Sequence, residues 1–266
     1  MKVFNVQINR TVIDPVLLTF IAVVFPFYTV YWICTNSNWV SILTFFAVTW
    51  TLGASITMFA HRAWCHRSWI PNKVVNFVGL VLFTLSLAGN SIGWVSVHRE
   101  HHRYSDTDKD PHSPYFKSRL RIHFMNYFPK VHVQYMADLL RSPLHLWFAK
   151  NYWYINFSVM AMFYIIDPAW LLFWIACAGN HILKMHTINS LTHNSPRWVL
   201  PTSRTYGASN SMLLMVLHGF TGEALHKNHH EDPKNWNFKK NWYELDLPGQ
   251  LILLLSKLGL AKLNHH

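Results

Sequence analysis

The sequence predicts an all-α integral membrane protein with a metal site, and three observations support this fold class. The 266 residues are 51% hydrophobic and only 13% charged, which is too apolar for an ordinary soluble domain of this length. Residues 15–34 and 39–60 each supply the roughly 20 apolar residues that a spanning helix needs, without a charged side chain. The 18 histidines include closely spaced groups, which is typical of a metal centre.

Two further apolar segments complete a predicted bundle of four transmembrane helices. Residues 152–166 and 169–183 predict a helical hairpin that turns at Asp167 and Pro168. Trp and Tyr side chains lie near the ends of these segments, as they do at membrane interfaces. Because the sequence has no internal repeat or linker, we expect residues 1–266 to form a single membrane domain.

The basic residues predict the orientation in the membrane. The loops 35–38 and 167–168 contain no Lys or Arg, so with four spans every basic residue falls on the opposite face. The positive-inside rule makes that face cytoplasmic, in a bacterial inner membrane or its endoplasmic reticulum equivalent. The formal net charge of +11 is therefore explained by topology, and we expect no nucleic acid partner.

The apolar segment 74–97 is predicted not to cross the membrane. A full crossing would place the histidines that follow it on the opposite side from His61 and His66. We therefore expect one helix that lies in the interface or dips into the bilayer, with its glycines and Asn90 facing protein. Residues 209–224 are a candidate for a second interfacial amphipathic helix.

Histidine motifs carry the predicted metal site. His61 and His66 form HRAWCH after the second span, and two later groups share the spacing H-x-x-H-H. These groups are His98, His101 and His102, and His226, His229 and His230. Positions i, i+3 and i+4 share one helix face, so each group can direct three imidazoles at one point. Positions i and i+5 do not, so His61 and His66 either straddle a helix end or bind different metals.

The alternative for any histidine is a half-buried, hydrogen-bonded role at the interface. We expect that role for isolated histidines, namely His123, His132, His145, His181 and His218. It is disfavoured for the clusters because adjacent histidines would repel each other when protonated. Imidazole suits iron, zinc, copper and nickel, so spacing alone leaves the metal open.

Acidic residues flank the histidine motifs. Neutral ligands leave the charge of bound metal ions uncompensated, so a site of this kind requires carboxylates behind its ligands. The candidates, each with a solvated surface role as the alternative, are Glu100, Asp106, Asp108, Asp110, Glu223, Glu231 and Asp232.

These motifs resemble the membrane fatty-acyl desaturases, particularly the Δ9 branch of stearoyl-CoA desaturase-like and bacterial acyl-lipid enzymes. The resemblance covers residues 61–246, and its most specific stretch is HREHHRYSDTDKDPHSP, joined by HRAWCH, NSLTH and GEALHKNHH. It implies four membrane helices under a cytosolic cap that holds two irons. The implied metal ligands are His61, His66, His98, His101, His102, His193, His226, His229 and His230, with Asn189 contacting iron through water.

The resemblance also implies residues that bind the substrate. Trp94 matches a tryptophan beside the bend of the acyl channel, and Arg99 matches a basic residue near the acyl headgroup. At the bend of the channel the acyl-CoA enzymes have a threonine, whereas this sequence has Met185. This difference affects the expected substrate headgroup more than the expected reaction. The channel is expected to enter the membrane helices near the first motif. Its candidate lining residues, with a core or lipid-facing role as the alternative, are Trp50, Gly53, Thr57 and Met58.

The function implied by the resemblance is O2-dependent insertion of a cis double bond, expected at Δ9, into a saturated acyl chain on CoA or a membrane lipid. One alternative is a di-iron acyl hydroxylase, which would yield an alcohol. Another is a membrane metal-binding or transport protein, which calls for ionisable residues within the spans. The sequence has no dinucleotide fingerprint or iron–sulfur cysteine set. We therefore expect a separate cytochrome b5-like or ferredoxin-like electron donor at the basic face.

Overall fold

The computed structural model describes residues 13–114, 116, 118–124, 132–193 and 207–264. Helices make up most of this part of the chain, as the sequence predicts. In chain order they are α1 (Ile13–Thr35), α2 (Trp39–Ser55), a π-helix (Ile56–Cys65), α3 (Lys73–Leu85), α4 (Ser91–Tyr104), α5 (Arg119–His123), a 3-10 turn (Val133–Tyr135), α6 (Ala137–Leu140), α7 (Pro143–Lys150), α8 (Tyr152–Ile166), α9 (Pro168–Leu191), α10 (Met212–Leu217), α11 (His226–Glu231) and α12 (Leu247–Lys257). Strands β1 (Trp69–Pro71) and β2 (Ala261–Leu263) form an antiparallel pair.

The first two predicted spans are confirmed as long apolar helices. Among the described residues, Leu17–Thr35 and Trp39–Cys65 are the helices long and apolar enough to cross a membrane. The second of them begins where the Asn38 side chain accepts hydrogen bonds from the amides of Val40 and Ser41, which satisfies free N–H groups of the first turn. Large apolar side chains along both helices face outward, as expected for contact with lipid.

The predicted helical hairpin is present as α8 and α9, and its crossing of the membrane stays a prediction. Its turn is at Asp167, whose Oδ1 accepts a hydrogen bond from the amide of Ala169 at 2.8 Å. Helix α9 packs against α1 and α2, and a Cβ atom at Gly179 would lie 2.3 Å from the carbonyl oxygen of Phe25. Only glycine permits this close approach. Helix α9 ends at Leu191 rather than at 183, because the polar segment beyond 183 packs inside the protein.

The prediction of one helix over 74–97 is wrong, because the segment contains two helices. Helix α3 ends at Leu85 and α4 begins at Ser91. Between them Leu87 and Gly89 adopt positive φ angles of 62° and 92°, and the Asn90 side chain caps α4 by accepting a hydrogen bond from the amide of Gly93 at 2.9 Å. This break turns the chain back, so that α4 packs against the π-helix. The predicted helix over 209–224 is likewise reduced to the short α10.

Candidate metal centre

The π-helix explains the spacing of the first histidine motif. A π-helix closes its turns with hydrogen bonds from i+5 to i, and the amide of His66 donates to the carbonyl oxygen of His61 at 3.1 Å. Residues five apart are therefore neighbours on its surface. The two imidazoles lie with ring centroids 5.2 Å apart and belong to one cluster, which favours one metal site for both over two different metals.

Two clusters contain all nine predicted histidine ligands. Within each cluster, one ligand atom from each residue lies within 4.8 Å of the others. The first cluster is His61, His66, His98, His102 and His229, and the second cluster is His101, His193, His226 and His230. The clusters are adjacent, because the rings of His102 and His230 stack with centroids 4.5 Å apart.

Each H-x-x-H-H group is divided between the two clusters, which corrects the prediction that its three imidazoles meet at one point. On α4, His98 and His102 join the first cluster and His101 joins the second. On α11 the division is reversed. Residues i and i+4 lie one above the other on a helix, whereas the residue between them points to the side. The spacing is thus suited to holding two metal ions next to each other.

Within the clusters the imidazole nitrogens converge closely. In the first cluster, His229 Nε2 lies 2.9 Å from the Nε2 atoms of both His61 and His102. In the second cluster, His226 Nε2 lies 2.7 Å from His193 Nε2 and 3.2 Å from His230 Nε2. Convergence of several lone-pair donors is the arrangement that metal coordination requires.

Carboxylates behind the clusters determine which nitrogen of the ring carries the proton. Glu223 lies 2.9 Å from His61 Nδ1, and Asp110 lies 2.9 Å from His101 Nδ1. Asp106 approaches His193 Nδ1 at 3.3 Å. An ionised carboxylate only accepts hydrogen bonds, so Nδ1 donates and the Nε2 lone pair is left for a metal ion. Three of the predicted acidic residues therefore act behind ligands.

Of the other acidic candidates, Glu100 is buried, Asp232 is partly buried, and two lie at the surface. Asp108 is exposed, and Glu231 is an exposed side chain that pairs with Lys240 at 2.7 Å. Asp108 and Glu231 therefore have the solvated surface role that was the alternative for each. A residue outside the predicted set, Glu244, accepts a hydrogen bond from Asn228 Nδ2 at 2.9 Å. This buried bond fixes α11, which carries three of the histidines.

Most of the clustered histidines are held neutral by their surroundings. Burial lowers the pKa values of several ligands well below the ordinary histidine range, and neighbouring imidazoles lower them further, as for His66, His98, His101, His102 and His229. The Nε2 atom of His66 is buried and has no hydrogen-bond partner among the described residues. Neutral, desolvated imidazoles with converging nitrogens fit metal ions, so both clusters are able to hold a metal.

His112 is a buried residue outside the predicted ligand set. Its ring stacks on that of His101, with centroids 4.0 Å apart, and its amide donates to Asp110 Oδ1 at 2.9 Å. Burial raises the pKa of Asp110 to about 6, although these amide contacts lower it. The DPH sequence that follows the second motif is a signal for His112. This histidine lies outside the H-x-x-H-H spacing, so that spacing does not predict it.

A buried ion pair also lies outside the set of predicted site residues. Arg62 Nη2 lies 3.0 Å from Asp246 Oδ1, and both side chains are fully buried. The guanidinium also lies 3.9 Å from the ring centroid of Phe238 and donates to the carbonyl oxygen of Trp236. Asp246 in turn caps α12 by accepting from the amide of Gly249. This network ties the π-helix to the C-terminal part of the chain.

Two predicted substrate residues occupy different kinds of site. Trp94 stacks on His98 with ring centroids 5.0 Å apart, directly beside the first cluster. Arg99 instead forms a two-point ion pair with Asp138, at 2.6 and 2.9 Å. It also donates to the carbonyl oxygens of Cys65 and Tyr135. These contacts describe a structural role for Arg99, and its contact with an acyl headgroup stays a prediction.

Two of the candidate channel residues, Trp50 and Thr57, contact the same loop. Trp50 Nε1 donates to the carbonyl oxygen of Gly219 at 2.9 Å, and Thr57 Oγ1 donates to Glu223. A Cβ atom at Gly53 would meet nothing within 4 Å, so open space lies beside it. Met58 is instead a buried core residue, with Met185 packed partly buried against the same core. Asn189 lies on α9 before His193, and its contact with a metal stays a prediction.

The fold and the site define a class of protein: a helical chain with two adjacent histidine clusters, each able to hold a metal ion. The family model for fatty acid desaturase matches residues 37–247. The chain therefore belongs to the fatty acid desaturase family, which confirms the resemblance seen in the motifs. Together with its two apolar spans, this makes the chain an integral membrane oxidoreductase that desaturates fatty-acyl groups.

Curated relatives are similar over most of the chain. Delta-9 acyl-lipid desaturase 1 of Arabidopsis thaliana is 27% identical, with 85% of this chain and 75% of the relative covered. The sn-1 stearoyl-lipid 9-desaturase of Anabaena variabilis is 28% identical, with 85% of both chains covered. The acyl-CoA Delta(11) desaturase of Choristoneura rosaceana is 29% identical, with 80% and 66% covered. Both lipid-linked and CoA-linked substrates thus occur among the relatives.

Proposed function

We propose that the chain is an O2-dependent Δ9 acyl desaturase in which each histidine cluster holds one iron ion. The observation that carries the proposal is the division of both H-x-x-H-H groups between two adjacent clusters. The named relatives support the Δ9 position, since two of the three described above carry it in their names. The proposed ligands are the nine clustered histidines, with Asn189 acting through water.

The proposed reaction removes two hydrogens from neighbouring methylenes and reduces O2 to two waters, with two electrons and two protons from outside. The two irons, when bound, would supply the activation of O2 that this requires. The chain's own residues orient the acyl group and exclude water. Trp94 closes one side of the first cluster, and Glu223 holds the proton of His61 at Nδ1, which keeps Nε2 available.

We also propose the predicted topology, with four spans and the metal centre at the cytoplasmic face. The break between α3 and α4 supports it, because the chain leaves the π-helix at Cys65 and returns to the same clusters at His98. A segment that starts and ends at one site has no net crossing. The electrons would come from a separate cytochrome b5-like or ferredoxin-like carrier, which the basic face attracts electrostatically.

The function is tested by expressing the chain in a desaturase-deficient host and analysing the fatty acids. We expect a new cis alkene at Δ9 that requires O2. An alcohol at the same position would identify a hydroxylase instead. An unchanged fatty acid profile from well-expressed protein that contains two irons per chain would contradict the proposal.

Asp110, one of the two carboxylates behind the second cluster, provides a sharper test of the metal site. Asp110→Asn should lower metal affinity by about 10–100-fold, because an amide can donate to His101 Nδ1 and favour the tautomer that blocks Nε2. Iron retained during dialysis against a chelator measures the effect. Asp108→Asn removes an exposed carboxylate two residues away and should retain iron like the wild type. Equal retention by both variants would remove Asp110 from the site.

The open space beside Gly53 predicts where the methyl end of the substrate lies. Gly53→Phe should shift the preferred substrate to shorter acyl chains, because the ring would fill part of the channel. Products formed from acyl groups of 14 to about 18 carbons measure the shift, since each buried methylene contributes about 0.8 kcal/mol.

A matched control lies on another side of α2. Ala47 lines a separate apolar cavity of about 310 Å³ between α2, α3, α8 and α9. Ala47→Phe should leave the chain-length preference unchanged. If Ala47→Phe shortens the preferred chain and Gly53→Phe does not, the methyl end occupies that cavity instead.

A further inference from the structure

A cation on α9 has no carboxylate partner. Lys184 is partly buried on α9, and it forms no ion pair with an acidic side chain in the described part of the chain. It lies close enough to His181 and His218 to interact with both electrostatically. The acidic group that acts on His218 is Glu223, which is engaged with His61 and Thr57. The positive charge of Lys184 is therefore available to an anion at the membrane interface.

The depth of Lys184 matches a headgroup region. Helix α9 begins at Pro168, and a rise of about 1.5 Å per residue puts Lys184 about 24 Å along its axis. The hydrocarbon core is about 30 Å thick, so a long lysine side chain can extend from this position to the polar interface. The same rise places Leu191, the last residue of α9, about 10 Å beyond Lys184, and His193 follows two residues later. The carbons between an ester and a Δ9 bond can bridge a separation of this order.

The helix that precedes His218 presents large apolar side chains at the surface of the protein. His218 follows α10, whose large side chains are exposed: Met212 44%, Leu213 69%, Val216 57% and Leu217 58%. A short helix with such an apolar face is suited to lie in a membrane interface. The turn after α10 is held against α2 by the bond from Trp50 to Gly219. That bond lies one helical turn from the open side of Gly53.

We infer that Lys184, with His218 beside it, binds the phosphate of a membrane glycerophospholipid whose acyl chain enters the metal centre sideways between α9, α10 and α2. This inference rests on the proposed desaturase function and assigns its substrate class, a phosphate-bearing acyl lipid drawn from the bilayer. Charge complementarity supports it, because a lipid phosphate would supply the anion that the described residues around Lys184 lack. The exposed apolar face of α10 gives the lipid a continuous path from the membrane.

The test compares lipids that differ in headgroup charge. The iron-loaded full chain in nanodiscs is titrated with distearoyl phosphatidylglycerol and, separately, with a distearoyl galactolipid that has no charge. Lys184→Gln should weaken binding of the phosphatidylglycerol about tenfold, as expected for loss of one charge-assisted hydrogen bond. Binding of the galactolipid should be unchanged, and Lys184→Arg should restore most of the affinity.

Turnover provides the second readout and a control for charge. Lys184→Gln should raise KM for the phosphatidylglycerol by a similar factor while kcat is retained. Lys150→Gln removes an exposed charge at the end of α7 and should behave like the wild type. Equal losses for the charged and uncharged lipids would assign Lys184 a structural role and overturn the inference. Exclusive turnover of stearoyl-CoA by the wild type would overturn it as well.

The two proposals fail in different ways. Wild-type protein that binds phosphatidylglycerol through Lys184 but forms no alkene from any substrate would support the lipid site and overturn the desaturase function. If the wild type forms the alkene and the Lys184 variants do not differ from it, the desaturase function is supported and the lipid site is overturned.

Discussion

His229→Ala is expected to abolish desaturation, with turnover lowered by more than about 100-fold, which is beyond the effect of altering a residue behind a ligand. His229 Nε2 lies 2.9 Å from two other ligand nitrogens of the first cluster. Its removal leaves four imidazoles with a gap at their centre. We expect the iron content to fall from two ions per chain toward one, because the second cluster does not include His229. Metal analysis and fatty acid products measure both effects.

The matched control is His132→Ala, which removes an exposed imidazole from the same chain. It should retain two irons and wild-type turnover. His226→Ala should give the complementary result, with loss of metal from the second cluster. If His229→Ala retained full iron and turnover, the assignment of five histidines to one metal ion would be wrong.

The histidine motifs could be recognised from the sequence, but the way they are shared between metals could not. The i, i+3, i+4 rule correctly places His98, His101 and His102 near one another on α4. It does not say that a second group, from α11, meets them from the other side. Only the packing of the two helices makes His101 turn toward His226 and His230 while His98 turns toward His61. Pairing between distant segments is a tertiary effect that local spacing does not contain.

The places where the backbone departs from the regular α-helix were also not predicted from the sequence. His61 and His66 are one cluster because their helix changes to the π form at Ile56, and periodicity based on the α-helix cannot anticipate that change. The break before α4 had a visible signal, since Gly89 and Asn90 are common at helix ends and starts. The apolar residues on both sides of this signal nevertheless favoured a single helix over 74–97. By contrast, the apolar spans α1 and α2 were predicted well because composition alone determines them.

The buried pair of Arg62 and Asp246 provides the largest expected effect on stability. Asp246→Asn should lower the free energy of unfolding by about 3–5 kcal/mol, because it leaves the guanidinium of Arg62 buried without a counterion. The variant should also lose metal, since Arg62 adjoins His61 on the π-helix. Thermal unfolding in detergent and iron analysis measure the two consequences. A loss below about 1 kcal/mol would mean that Phe238 and the Trp236 carbonyl hold Arg62 in place without the carboxylate.

A double variant separates the charge from the shape of this site. Arg62→Met with Asp246→Leu replaces the pair by apolar side chains and removes the uncompensated charge. It should recover most of the stability that Asp246→Asn loses, and the difference from the two single variants gives the interaction energy. Iron binding should recover less than stability, because Asp246 also accepts from the amides of Phe238 and Gly249 and so positions the segment behind His229. If stability recovers and iron binding does not, the pair serves the metal centre as well as the fold.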